Sequence, residues 1–179
     1  MSDRKKEWFS WLKAILIAFV LVWILRAFVF MPIAVEGPSM LPTLRSDDHV
    51  IIEKVSYRFS DPARFDVIVF NATEEKDYVK RIVGLPGETV EIRDDQLFID
   101  GESIDEPFID EIRNNQAYGL TYTDDYIFEG VIPEGHYFVL GDNRQNSTDS
   151  RAIGLVEEDD IIGQAVLTYW PLRRIQIVS

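Results

Sequence analysis

The sequence contains no cysteine and very little histidine. Its two histidines, His49 and His136, lie far apart in the chain. Without thiols, disulfides and thiolate metal sites are excluded. Transition-metal centres draw mainly on cysteine and histidine, so we expect no such site, although carboxylates could still hold a hard cation at the surface. We predict no cofactor, and we assign both histidines to surface or packing positions.

Positive charge is also scarce, and the chain has no internal repeat or low-complexity linker. Eighteen Lys and Arg stand against 31 Asp and Glu, which gives a net charge of -13. A protein that binds a phosphate backbone needs a basic patch, so nucleic acid is disfavoured as a partner. After the first three dozen residues, about 140 remain, enough for one domain with a sizeable core.

One long apolar stretch lies near the N-terminus. Residues 14–25 are uninterrupted apolar sequence, and Arg26 is followed by a further apolar run. Residues 12–30 would span about 30 Å as a helix, the thickness of a hydrocarbon core. Arg26 lies near one end, where its long side chain can reach the headgroups. We therefore predict a transmembrane anchor over residues 12–31, ended by Pro32.

A cleaved signal peptide and a buried core helix are the alternatives for this stretch. A signal peptide would end in small residues, whereas residues 28–32 read Phe, Val, Phe, Met and Pro. The cations that precede the stretch are Arg4, Lys5, Lys6 and Lys13. The positive-inside rule then places residues 1–11 in the cytoplasm and residues 32–179 outside.

The rest of the chain has the pattern of short strands separated by turns. Residues 65–70 and 78–83 are dense apolar runs, and Asp100-Gly101 is a turn signal. Helical periodicity is weak. We predict a mostly β fold, an antiparallel β-sandwich or partly closed barrel. Residues 102–130 carry many acids and few apolar runs, so we expect an exposed excursion, part loop and part hairpin.

The sequence has three notable polar features, and the first two each contain a candidate reactive group. Ser39 lies in GPSMLPTL, residues 37–44, directly after the apolar stretch. It is either a turn residue or a nucleophile held at a membrane surface. Lys80 lies in an apolar strand. It is either a surface lysine or a desolvated amine whose pKa falls from about 10.4 until it can act as a base near neutral pH.

The third feature is GDNRQNSTDSR, residues 141–151, in which nearly every side chain can form hydrogen bonds. Apolar residues 137–140 precede it and residues 152–155 follow it. It is either a plain polar loop or a fixed hydrogen-bond network clasped by core strands.

The three segments occur in the order GPSMLPTL, YVKRIVGLPGE and GDNRQNSTDSR behind one apolar stretch. In that order they closely resemble the bacterial type I signal peptidases. The resemblance runs from the predicted anchor to Trp170-Pro171-Leu172 and includes Glu106-Pro107-Phe108. The lysine points to the prokaryotic kind, and the absence of a long insertion to a Gram-positive type.

The resemblance implies a Ser/Lys dyad, with Ser39 as nucleophile and Lys80 as general base. Ser147 matches the serine that orients the lysine amine. The other residues implied to support the site are Asp149, Arg151, Asp142, Asn143 and Arg144. One oxyanion donor would be the Ser39 amide; the second is unassigned, because Gly37 stands where some relatives carry a serine.

The implied substrate is a secreted preprotein held in the membrane by its signal peptide. Its cleavage site would bind as an added strand, with small residues upstream of the cut in shallow pockets. The substrate-binding residues implied are Glu36, Gly37, Pro38, Met40, Tyr78 and Ile82. The expected location is the cell membrane, single-pass, with the lipid bilayer and the secretion translocon as further partners.

Two other functions compete with this interpretation. One is a self-cleaving repressor of similar fold, which would need a DNA-binding domain and a soluble chain. The other is a non-enzymatic membrane-anchored β-domain adaptor or an inactive homologue, although no member of the dyad is missing.

Overall fold

A computed structural model describes residues 3–73, 76–116 and 120–178 of the chain. It begins with helix α1, Asp3–Phe28, whose interior contains neither glycine nor proline, the two residues least favourable to a helix. Every described side chain from residue 7 to residue 23 is exposed. Within the three described ranges, no helix combines the length and the apolar character that crossing a membrane demands.

The transmembrane anchor predicted over residues 12–31 is therefore not supported by the structure, and its end also differs. The helix ends at Phe28 rather than next to Pro32, and residues from Phe30 onward form a strand. That strand pairs with a second one, and Pro32 lies opposite Ile51. Proline is tolerated there because the strand is at the edge of its sheet.

Twelve strands follow α1 in the described residues. They are β1 (Phe30–Ala34), β2 (His49–Glu53), β3 (Val67–Thr73), β4 (Lys76–Gly84), β5 (Val90–Arg93), β6 (Gln96–Ile99), β7 (Glu102–Ile104), β8 (Tyr126–Ile127), β9 (His136–Leu140), β10 (Val156–Glu157), β11 (Ile161–Trp170) and β12 (Gln176–Ile177). Two short helices, α2 (Asp110–Asn114) and α3 (Ser150–Ile153), complete the described elements, together with three 3-10 turns.

The strands form two sheets in which all pairings are antiparallel. The larger sheet has the order β1-β2-β11-β3-β4-β9-β10, with β12 paired to β11. The smaller sheet has the order β7-β6-β5-β8. The predicted mostly β, antiparallel fold is confirmed.

Three buried clusters hold the sheets together. The first contains Met40 and Leu44 from the turn around Ser39, packed against residues of β2, β3 and β11. Burying each of these side chains contributes about 1.5–3 kcal/mol, which fixes the turn to the sheet. The second cluster joins the smaller sheet to β4 and β9. The third lies around β3, β4 and β9.

Residues 102–130 are less exposed than the sequence indicated. They contribute β7 and β8 to the smaller sheet, and α2 lies between these strands. Four of their side chains are buried, those of Glu106, Ile109, Tyr122 and Thr123. Residues 117–119, within the same segment, lie outside the described residues.

Candidate active site

The fold brings Ser39 and Lys80 into direct contact. Lys80 is in the middle of β4, and its Nζ lies 2.9 Å from the Ser39 Oγ. The same amine donates a hydrogen bond of 2.8 Å to the carbonyl oxygen of Val79. Only 3% of Lys80 is exposed, so most of the side chain is removed from water. A hydroxyl and a desolvated amine at this distance form a nucleophile and base geometry.

Burial is also what sets the protonation of this amine. Loss of water penalises the ammonium form and lowers the pKa of Lys80 to about 8. The negative charges of Asp149 and Asp142 act in the opposite direction and limit the fall. The amine is therefore poised to exchange protons close to neutral pH.

Loop 141–151 holds the backbone of the Ser39 turn. The Asn143 amide donates a hydrogen bond of 3.0 Å to the Ser39 carbonyl oxygen, and its Nδ2 donates one of 3.1 Å to that of Pro38. The two segments come so close that a Cβ on Gly141 would lie 2.5 Å from the Ser39 oxygen. Gly141 is thus required by a close backbone approach.

Asp142 connects the segments that carry Ser39 and Lys80. Arg81, the neighbour of Lys80, donates through Nε at 2.9 Å and Nη2 at 2.8 Å to the two carboxylate oxygens. Thr43, four residues after Ser39, donates its hydroxyl to the same carboxylate. The ion pair is almost completely buried, so each charge depends on the other for compensation.

Sequence reasoning missed the roles of Thr43 and Arg81. For Arg81 the sequence did hold a signal. A cation in an apolar strand is expected to be buried, and a buried guanidinium needs an anionic partner. Thr43 gave no comparable signal, because one hydroxyl in a turn is common. Their shared partner is 99 and 61 residues away in the chain.

Asp149 and Arg151 form a charge-assisted pair. Arg151 Nε and Nη2 donate to the two Asp149 oxygens, both at 2.8 Å. The carboxylate also accepts the Gly141 amide at 3.0 Å and caps α3 through the Arg151 amide. Burial raises the pKa of Asp149, but the hydrogen bonds and charge of Arg151 outweigh it and hold that pKa below its usual value.

Ser147 lies in the same loop, and its Oγ has no hydrogen-bond partner of normal geometry among the described residues, although its hydroxyl is close enough to Asp149 to help lower the pKa of that carboxyl. Its Oγ is buried and lies close to Gly141, where an added Cβ would be only 2.2 Å away. The contact predicted between Ser147 and the lysine amine is absent from this arrangement. Its orienting role stays a prediction.

A cavity of about 490 Å³ opens beside Ser39 and Lys80. One wall is the end of β1 and the Ser39 turn, and the other is the first half of β4 together with Asn146 and Thr148. The predicted substrate residues that line this cavity are Glu36, Pro38, Met40 and Tyr78.

Two of the predicted substrate residues do not line the cavity. Ile82 is fully buried in the third core cluster, because the strand carries its side chain into the protein. Its assignment to substrate binding is wrong. Gly37 adopts φ +87°, a conformation that favours glycine and shapes the turn before Ser39.

Comparison with known proteins agrees with this geometry. A family model described as signal peptidase, peptidase S26, matches residues 8–170. Signal peptidase I of Bacillus licheniformis is 39% identical over 98% of this chain and 95% of the relative. Signal peptidase IB of Staphylococcus aureus is 38% identical over 93% of this chain and 92% of the relative.

A solved structure gives the same result. The crystal structure of a signal peptidase I from Enterococcus faecalis V583 is 41% identical, with a TM-score of 0.56. The match covers 60% of this chain and 98% of that one. The protein is therefore a serine endopeptidase. It belongs to the signal peptidase family, peptidase S26, and a non-enzymatic adaptor or inactive homologue is not favoured.

The close approach at Gly141 yields a testable prediction. Gly141→Ala should push loop 141–151 away from the Ser39 carbonyl, and a displacement of about 1 Å at an active site can cost about 100-fold in rate. The matched control is Gly163→Ala, whose Cβ would lie 2.2 Å from the Glu53 carbonyl in the sheet. The measurements are peptidase kcat and melting temperature.

Both variants should lose stability, by about 1–3 kcal/mol, because both introduce an overpacked methyl group. Only Gly141→Ala should also lose kcat in the fraction that remains folded. Equal kcat for the two folded variants would contradict the assignment of the Gly141 contact to the site.

Proposed function

We propose that this enzyme removes signal peptides from secreted preproteins through an acyl-enzyme on Ser39, with Lys80 as the general base. The observation that carries the proposal is the distance of 2.9 Å between the Ser39 Oγ and the Nζ of Lys80, a residue of which only 3% is exposed. A lysine whose pKa is lowered by burial can be neutral at the pH of the reaction, as a general base must be.

In the first half of the reaction, neutral Lys80 accepts the hydroxyl proton while Ser39 Oγ attacks the scissile carbonyl carbon. The ammonium formed then donates this proton to the leaving amine as the peptide bond breaks. In the second half, Lys80 takes a proton from water, the resulting hydroxide attacks the acyl ester, and Ser39 regains its proton. The Ser39 amide is proposed as one oxyanion donor.

The proposed substrate site is the cavity between β1 and β4. Its outer wall is an edge strand, which has free backbone groups to which an extended peptide can pair. Glu36, Pro38, Met40 and Tyr78 are the proposed contacts. The apolar part of this wall suits small side chains upstream of the cut.

The proposed roles of loop 141–151 are supporting. Asp142, Asn143, Asp149 and Arg151 keep the Ser39 turn, the Lys80 strand and the loop in register through the contacts described above. Ser147, whose buried Oγ lies in the same loop beside Gly141, is proposed to orient the Lys80 amine.

We also propose that the enzyme acts at the cell membrane and contacts lipid through α1. Exposed side chains of this helix include Trp11, Leu16, Phe19 and Trp23. Large exposed apolar surfaces of this kind mark contact with a membrane or with another protein. The cations at its start favour a cytoplasmic N-terminus and an extracytoplasmic catalytic domain, with the secretion translocon delivering the substrate.

The dyad can be tested by cleavage of a purified preprotein. Ser39→Ala and Lys80→Met should each lower kcat by about four orders of magnitude, since residues that act as one unit fail together. Matched controls are Ser46→Ala and Lys76→Met, both at exposed positions. Wild-type rates in either dyad variant would contradict the proposal, as would a comparable loss in the controls.

The pH dependence of the rate provides an independent test. Below the lowered pKa of about 8, Lys80 is mostly ammonium and cannot accept a proton. The single-turnover acylation rate on a peptide without titratable groups should therefore rise about tenfold per pH unit up to about 8 and then level off. A rate that is flat or falls between pH 6 and 8 would rule out neutral Lys80 as the base.

Lipid contact can be tested by flotation with vesicles of phosphatidylethanolamine and phosphatidylglycerol. The full chain should float, whereas the double variant Leu16→Asp/Phe19→Asp should not, because a carboxylate is strongly disfavoured in contact with lipid hydrocarbon. Leu172→Asp, at another exposed apolar residue, is the control and should float. Flotation of the double variant would exclude α1 as the lipid contact.

A further inference from the structure

We infer that Glu106 and Phe108, in the segment between β7 and α2, are positioning residues. Glu106 holds Arg144 and Phe108 holds Arg81, two arginines that contact the segments carrying Ser39 and Lys80. This inference rests on the proposed function, because it concerns how the Ser39 and Lys80 pair is kept in place. Neither residue lines the cavity beside Ser39. Glu106 instead contacts Arg144, which also bonds to Gly141 beside Ser39. Phe108 contacts Arg81, the neighbour of Lys80 in β4.

Glu106 fixes the position of Arg144. The Arg144 guanidinium donates through both terminal nitrogens to the two oxygens of Glu106, and 1% of each side chain is exposed. The Nε of Arg144 donates at 3.1 Å to the Gly141 carbonyl oxygen. Gly141 is the residue that lies against the Ser39 carbonyl, so a single intervening side chain connects Glu106 to the reactive turn.

Phe108 covers the second arginine. The Arg81 guanidinium carbon lies 3.9 Å from the centre of the Phe108 ring, a cation–π contact. The same guanidinium forms the bidentate pair with Asp142 through its Nε and Nη2. Phe108 also packs edge-on against Phe65, whose carbonyl oxygen accepts a hydrogen bond of 2.9 Å from Arg81.

The same part of the chain holds the loop at two further points. The Tyr122 hydroxyl donates a hydrogen bond of 2.6 Å to the Asp142 carbonyl oxygen, and Gln145 donates one of 3.2 Å to that of Thr121. The Tyr122 amide is in turn fixed by the Asp95 carboxylate at 2.7 Å. The loop is therefore held by residues of the 102–130 segment, and no described residue of that segment lines the substrate cavity.

A positioning role differs from a general structural role in what its loss disturbs. Loss of the Glu106 contact should free the loop locally, so that the Asn143 amide bonded to Ser39 exchanges faster while the sheets stay protected. Turnover should fall, and substrate affinity should change little, because β1 and β4 still line the cavity. Acylation should be slowed more than binding.

The test compares Glu106→Gln, Phe108→Leu and Phe108→Tyr in the full chain in detergent micelles. The first two remove the charge or the ring, and Phe108→Tyr keeps the ring. Glu88→Gln is the matched control, because Glu88 is paired with Arg64 and also accepts the Leu85 amide. The readouts are amide hydrogen exchange, kcat and KM for a preprotein peptide, and melting temperature.

We expect Glu106→Gln and Phe108→Leu to raise exchange at Gly141 and Asn143 about tenfold or more. Their kcat should fall about tenfold or more, with KM within about threefold of wild type. Phe108→Tyr and Glu88→Gln should resemble wild type in the loop. If Glu106→Gln does not fold, the comparison of Phe108→Leu with Phe108→Tyr decides.

Unchanged exchange at Gly141 and Asn143 would overturn the inference. So would faster exchange that is uniform over both sheets and proportional to the loss in melting temperature, since this indicates a structural role alone. If the wild type fails to cleave the peptide, the proposed function fails, but the exchange data still decide whether Glu106 and Phe108 hold the loop.

Discussion

The buried ion pair between Arg81 and Asp142 is the interaction on which the arrangement of the site depends. Arg81 follows Lys80 in β4, and Asp142 precedes Asn143, whose amide binds the Ser39 carbonyl. One pair of charges thus sets the distance between the strand of the base and the turn of the nucleophile. Removing one partner of a buried pair costs about 3–5 kcal/mol, so the geometry is strongly specified.

Burial also changes the pKa of Lys80, which lies next to Arg81 in β4. The apolar surroundings that deprive Lys80 of water lower its pKa, while the carboxylates of Asp142 and Asp149 keep it from falling further. Both acids have arginine partners within bonding distance, which compensates most of their charge. Because Arg81 and Arg151 are paired with them, the two carboxylates can lie near the Lys80 amine without returning its pKa to the ordinary value of a lysine.

The sequence was most informative where chemistry is unusual for its surroundings. A serine in a stiff turn, a lysine in an apolar strand and a dense polar loop predicted the residues that the fold brings together. It was least informative for pairings between distant segments, such as Thr43 with Asp142 or Glu106 with Arg144. Ile82 was misassigned because a resemblance in sequence does not show which strand residues face the core, where Ile82 packs. Residues 30–34 form a strand because β2 supplies their partner.

In the proposed reaction, Ser39 itself becomes acylated during turnover. Rapid acid quench of the wild-type enzyme with a preprotein, followed by tryptic digestion and mass spectrometry, locates any acyl ester directly. We expect an added mass of the signal-peptide fragment on the peptide that contains Ser39, and no such mass in Ser39→Ala. An ester on another residue, or turnover without any covalent adduct under conditions that trap esters, would contradict it.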